Sequence, residues 1–192
     1  MGHSMSFVSR IKPHADTVMG IDASTKSIAF CIMRGKDVVK YGEIFINGAN
    51  ISERILDSKR KMRALKNEFN VDYIVIESAI MVRSAAVAIK MAYVFGAIMG
   101  ELLDNGAVVK EVAPITWQSY IGNKNLNKQE KSDIKKLYPD KSASWYNNKS
   151  RETRKQRTLD FFNTKFGIAL ESDNVSDAFG LAWYASQNLT ER

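Results

Sequence analysis

The chain has 192 residues, 45% hydrophobic and 26% charged, which is enough for one domain with a real core and excludes wholesale disorder. A lone cysteine, Cys31, excludes an intrachain disulfide and a cysteine-built zinc site, and the two histidines, His3 and His14, lie together in a polar leader, leaving none for a Ser-His-Asp arrangement or a histidine metal site. The net charge of +7 is concentrated, because Lys124 to Arg157 holds eleven Lys or Arg against four Asp or Glu and the remainder sums to zero.

Residues 1–16 read as a flexible leader without the apolar core of a signal peptide, and 17–190 as a single domain. Thr17 to Asp22 and Ser27 to Met33 are apolar runs expected as strands. Gly35-Lys36-Asp37 supplies a turn, and Val38 to Ile46 alternates as a third strand. Ser52 with Glu53 opens a polar helix whose apolar positions Ile55, Leu56, Met62, Leu65 and Phe69 recur at helical spacing. Val71 to Glu77 is a fourth strand that ends on an acid. A long helix from about Arg83 to Leu103 follows, stopped by Asn105-Gly106. That helix is broken by Lys90 and Glu101 and reads as a core helix, with no membrane span expected.

Ala107 to Val112 is a fifth strand, and Pro114 to Tyr120 a short helix entered through its proline. Gly122 to Ser150 is lysine-rich, punctuated by aromatics and without a sustained period. It is expected to be a basic insertion or mobile arm at about 122–150. Arg151 to Phe166 regains a helical pattern, and Asp173 to Asn188 forms the last helix. Three antiparallel strands, strand–helix alternation adding two parallel strands, and terminal helices make the element order of the ribonuclease H-like fold. The fold class is therefore α/β, with a five-stranded mixed sheet flanked by helices. No glycine fingerprint follows a strand, so a dinucleotide-binding fold is not expected.

Two strands end on acids, Asp22 and Glu77, and the last helix adds Asp173, Asn174 and Asp177 at i, i+3 and i+4 spacing, so pairs of polar groups share one helical face. Capping by Ser172 or Asp173 accounts for an acid at the helix start but not for Asp177, which leads the apolar stripe of Phe179, Leu181 and Ala182. Carboxylates that gather without histidine or cysteine suit hard divalent cations such as Mg²⁺ or Mn²⁺. Two such ions about 4 Å apart can activate a water and stabilise the leaving oxygen of a phosphodiester. The basic segment points to an anionic polymer, most simply nucleic acid, or else to a solvated loop kept for solubility. Trp117, Tyr120, Trp145 and Tyr146 interleave with its lysines and are read either as base-stacking groups or as local packing.

GIDASTKSIAF, IVIESAI, FGAIMGELLDNGAVVKEVAPITW and DNVSDAFGLA together resemble the RuvC family of Holliday junction resolvases, chiefly its phage and viral branch, from about Val18 to Ala185. The resemblance implies Asp22, Glu77 and Asp177 as catalytic, metal-binding acids, completed by Asp173 or by Asn174 in the position three before Asp177. Asp173 is preferred for its charge, with Asn174 as a second ligand or orienter. It also implies two Mg²⁺ per site, replaceable by Mn²⁺, with Lys155 as the lysine that meets phosphate.

The residues expected to contact DNA are Lys124, Lys128, Lys131, Lys135, Lys136, Arg151, Arg154, Lys155 and Arg157. The implied activity is metal-dependent resolution of four-way DNA junctions by paired cuts, leaving 5′-phosphate and 3′-hydroxyl ends. A homodimer would form through the Arg83 to Leu103 helix, in the cytoplasm (that of a bacterial host, if phage-encoded). The alternatives are a related nuclease of flaps, forks or RNA, and an inactive branched-DNA-binding protein. Relative to the family pattern, Ser24 stands for a glycine, Ile80 for an aromatic three residues after the second acid, and Asn174 for an acid or histidine.

Overall fold

The computed structural model describes residues 16–78, 85–104 and 107–189. The leader with its two histidines, Ile80, the first residues of the Arg83 helix and the Asn105-Gly106 stop lie outside them. Five strands, β1 (Thr17–Ala23), β2 (Ser27–Arg34), β3 (Asp37–Phe45), β4 (Tyr73–Glu77) and β5 (Val108–Val112), form one sheet in the order β3-β2-β1-β4-β5. β1, β2 and β3 pair antiparallel, and β4 and β5 continue the sheet parallel to β1. This is the mixed sheet expected of the ribonuclease H-like fold.

Side chains on a strand alternate between faces, and the two faces of this sheet carry different helices. Met19, Ile21, Ile28, Phe30, Ile74 and Ile76 pack against α1 (Ile51–Glu68) and α2 (Ala85–Leu103). Ala29, Cys31 and Met33 pack against α5 (Ala143–Phe166) and α6 (Asp173–Asn188), through Leu159, Phe162, Phe179 and Ala182. Gly20 explains how closely α6 lies on β1. A Cβ there would come 2.3 Å from the Ala178 carbonyl oxygen and 2.5 Å from the Ala182 nitrogen, so no larger residue lets the helix backbone rest on the strand.

Three expectations change. α1 begins at Ile51 rather than Ser52, because Asn50 is its cap: the Asn50 side chain accepts from the Glu53 N–H at 3.0 Å. The long helix α2 buries only Val94, Ile98, Glu101 and Leu102. It is therefore not a core helix throughout, and by length and composition alone it is apolar enough to cross a membrane.

The third change is that residues 122–150 are largely helical. They contain α4 (Lys128–Leu137) and the first turns of α5. α4 buries none of its residues, so it leaves no apolar stripe to read. Its start is instead set by the reciprocal bonds of Asn127 and Glu130, and that of α5 by the Ser142 hydroxyl accepting from the Trp145 N–H. α3 (Pro114–Tyr120) and α6 have the expected limits.

Candidate active site

The strand register gathers the acids. Ile21 of β1 lies beside Ile76 of β4, so the next residues, Asp22 and Glu77, end neighbouring parallel strands and turn to the opposite face, the one α6 covers. On the other side Asp22 pairs with Ala29 of β2, and Ala29 with Glu43 of β3. Glu43, Ala29, Asp22 and Glu77 thus form one row on one face, with a methyl group separating Glu43 from Asp22. Helix α6 brings Asp173, Asn174 and Asp177 over that row, its first turn capped by Ser172.

Burial and mutual repulsion show in the titration of these groups. Asp22 is pushed up to about 7, first by desolvation and then by Glu77 and Glu43, with Lys155 opposing. Asp177 is pushed up to about 8, first by desolvation and then by Asp22 and Glu77, with Lys155 again opposing. Glu77 is raised by desolvation too, moderated by a hydrogen bond from Trp117 and by the charge of Arg151. Among the described residues no hydrogen-bond donor reaches the carboxylate of Asp22 or Asp177. Half-buried carboxylates that repel one another and lack donors suit a hard cation, and every candidate ligand offers oxygen.

The donor set fits Mg²⁺ or Mn²⁺ in its chemistry, although among the described residues no three side chains already form a closed metal-binding group. Two candidates have other partners as well. Asp173 accepts from the Lys155 ammonium at 2.6 Å, and Asn174 donates its Nδ2 to Glu43 Oε1 at 2.9 Å.

Glu77 and Asp177 open into a cleft of about 660 Å³ whose walls include Lys131, Arg151, Arg154 and Lys155. Arg154 also bonds Gln118 of α3. Asn123 donates to the Arg154 carbonyl oxygen at 2.8 Å and to Thr158 Oγ1 at 2.9 Å, pinning α5 beside the acids. The other expected DNA contacts are not on this wall. Lys124, Lys128 and Lys136 are exposed outside it, and Lys135 borders a smaller adjoining hollow of about 240 Å³ that shares Lys131 with the main cleft. Arg157 is tied to Glu130 of α4.

Trp117, Trp145 and Tyr146 fall on the packing side of their two readings. Trp117 is fully buried, donates Nε1 to Glu77 Oε1 at 3.1 Å, and lies flat under Gly180, where a Cβ would come 2.2 Å from its ring. Trp145 packs against Tyr138 and Tyr146, closing the α4–α5 hairpin. Tyr120 stays half exposed with its ring against that of Tyr184. Sequence reasoning did not single out Glu43 or the Trp117–Glu77 bond. Glu43 is findable only once β3 is registered against β2.

The family model for crossover junction endodeoxyribonuclease RuvC matches residues 18–137, more than half of the chain. The chain belongs to the RuvC family. Solved structures share the fold at low identity. RuvC of Thermus thermophilus in complex with a Holliday junction substrate superposes with a TM-score of 0.66 at 12% identity, over 90% of this chain and 96% of that one. A second Thermus thermophilus RuvC structure gives 0.63, also at 12% identity, over 89% and 95%. The yeast mitochondrial Holliday junction resolvase Ydc2 gives 0.54 at 13%, over 91% and 80%. Among curated proteins none matches. As a RuvC-family member the chain is a crossover junction endodeoxyribonuclease.

Proposed function

We propose that this chain resolves four-way DNA junctions by paired, divalent-metal-dependent cleavage, with residues 17–190 acting as one nuclease unit in the cytoplasm. The observation that carries the reading is the row of Asp22 and Glu77 on adjacent strands, faced by Asp177 of α6, at the foot of a cleft walled by Arg151, Arg154 and Lys155. The related Thermus thermophilus RuvC was solved with a Holliday junction substrate, which supports the choice of DNA.

Asp22, Glu77 and Asp177, with one group from positions 173–174, would hold two Mg²⁺ ions, or Mn²⁺ in their place. Bound there, such ions supply an activated water and stabilise the leaving oxygen. The chain's own residues do the rest. Arg151 and Arg154 grip the backbone phosphates. Lys155 keeps two further N–H donors while paired to Asp173, so it can meet a non-bridging phosphate oxygen at the cut. Trp117 fixes the Glu77 carboxylate from below.

Paired cuts on a symmetric junction call for a two-fold dimer. Its surface is the outward face of α2, where Ile89, Tyr93 and Leu103 are 51%, 55% and 62% exposed. A Cβ at Gly96 or Gly100 on that face would meet nothing within 4 Å, so a second helix can approach closely there.

The test is cleavage by the purified protein, with and without Mg²⁺, of a four-way junction, a fork, a flap and an RNA–DNA hybrid. The junction is expected to be cut fastest, only with the ion, and Asp22→Asn is expected to bind it uncut. Faster cutting of the flap, fork or hybrid would reassign the substrate. Wild-type cutting by Asp22→Asn would remove the metal role.

A further inference from the structure

Glu43 belongs to no strand end and to none of the sequence motifs, yet both oxygens of its carboxylate accept from the start of α6. Its Oε2 accepts from the Ser172 hydroxyl and its Oε1 from Asn174 Nδ2, each at 2.9 Å. What it controls is the amide of Asn174. A carboxylate accepts and cannot donate, so only the NH₂ end of that amide can face it. The Asn174 oxygen is thereby turned away from β3, and among the described residues it accepts no hydrogen bond.

The surroundings give that orientation a use. Asn174 lies three residues before Asp177, on the same side of α6. The rival donor Asp173 is occupied by Lys155 at 2.6 Å. Glu43 itself shares a row with Asp22, across Ala29, a separation of about 9–10 Å between backbones two strands apart. That is close enough to raise Asp22 electrostatically.

We infer that Glu43 is a positioning residue that fixes the Asn174 amide with its oxygen free, and that this oxygen, not Asp173, completes the cation site with Asp22, Glu77 and Asp177. The inference rests on the proposed cation-dependent reading of the site. A neutral fourth donor also limits repulsion among three acids that already raise one another. Carboxylates that orient a ligand in this way commonly carry 10- to 100-fold of metal affinity, as an order of magnitude.

The test is titration of the full chain with Mn²⁺, followed by electron paramagnetic resonance, with thermal unfolding in EDTA measured on the same proteins. Glu43→Ala removes the acceptor that holds the Asn174 amide in one orientation, so Mn²⁺ affinity is expected to fall by about tenfold or more. Asn174→Ala should fall similarly, and Asp173→Asn by less. In the double variant Glu43→Ala with Asn174→Asp, both terminal side-chain atoms at 174 are oxygen. Orientation then no longer matters, and affinity should return.

Unchanged affinity in Glu43→Ala overturns the inference. So does a loss that the double variant fails to restore while the unfolding temperature drops, since that is the mark of a mere staple between β3 and α6. Mn²⁺ binding that survives Asp22→Asn unchanged overturns instead the cation reading beneath it.

Discussion

Asp22 and Asp177 are carboxylates that the fold penalises when ionised, and the sign of that penalty can be measured. Each has an ordinary value of 3.8 and is raised in the folded chain, to about 7 and about 8. Between those values the folded protein keeps protons that the unfolded chain has released. Stability from these two groups is therefore fullest below about pH 4 and is lost as pH rises toward 8. In EDTA the unfolding temperature is expected to fall between about pH 5 and pH 8.5, less steeply in Asp177→Asn. Mg²⁺ should reverse the fall at the alkaline end, because a bound cation replaces the protons. A flat or rising profile in EDTA would mean that the acids are not crowded together.

Trp117→Phe keeps the ring under Gly180 and removes the donor to Glu77. Cleavage rate should drop while junction affinity holds. A loss of affinity alone would return Trp117 to the stacking role. These acids were legible in the sequence because two strands ended on them and because Asp177 stood where no cap was needed. Glu43 and the Trp117 bond were not, since each depends on a pairing between segments far apart in the chain.

Among the elements, α6 and the α4–α5 hairpin show opposite kinds of legibility. α6 carries an apolar stripe and was readable to its ends. α4 and the first turns of α5 have almost nothing to bury, so periodicity was silent. Only Asn127 with Glu130, and Ser142, marked the starts. A helix held by caps and by one neighbour suits an arm that displays charge.

Replacing Lys131 and Arg151 together by Gln should weaken junction binding and lower the slope of log affinity against log salt by about two. An unchanged slope would place the DNA elsewhere. The seat of α6 is tested by Gly20→Ala. Its Cβ meets backbone rather than a movable side chain, so a loss of about 1–3 kcal/mol or more is expected in chemical denaturation. A neutral result would contradict the close approach of helix and strand.

At the scale of the molecule, the mixed sheet of three antiparallel and two parallel strands followed from the chain order of strands and helices, whereas the apolar outer face of α2 became visible only once its inner face was assigned. Val94, Ile98 and Leu102 serve the core, while Glu101 takes Arg63 and Lys66 of α1. Ile89, Tyr93, Gly96 and Leu103 are left facing outward. Gly96→Arg adds a side chain into open space within one subunit and so should leave folding intact while blocking a two-fold contact. Sedimentation is expected to show a monomer, and a junction to be nicked once rather than cut in a pair. A dimer that persists in this variant would move the interface off α2.

Asp22, Glu77 and Asp177 are proposed to act on shared cations, and a crystal of the protein grown with Mn²⁺, with the metal located by its anomalous signal, decides it. Manganese is expected between the ends of β1 and β4 and the first turns of α6, within ligand distance of all three carboxylates. Manganese bound only elsewhere, with these three acids facing one another across an empty gap, would contradict it.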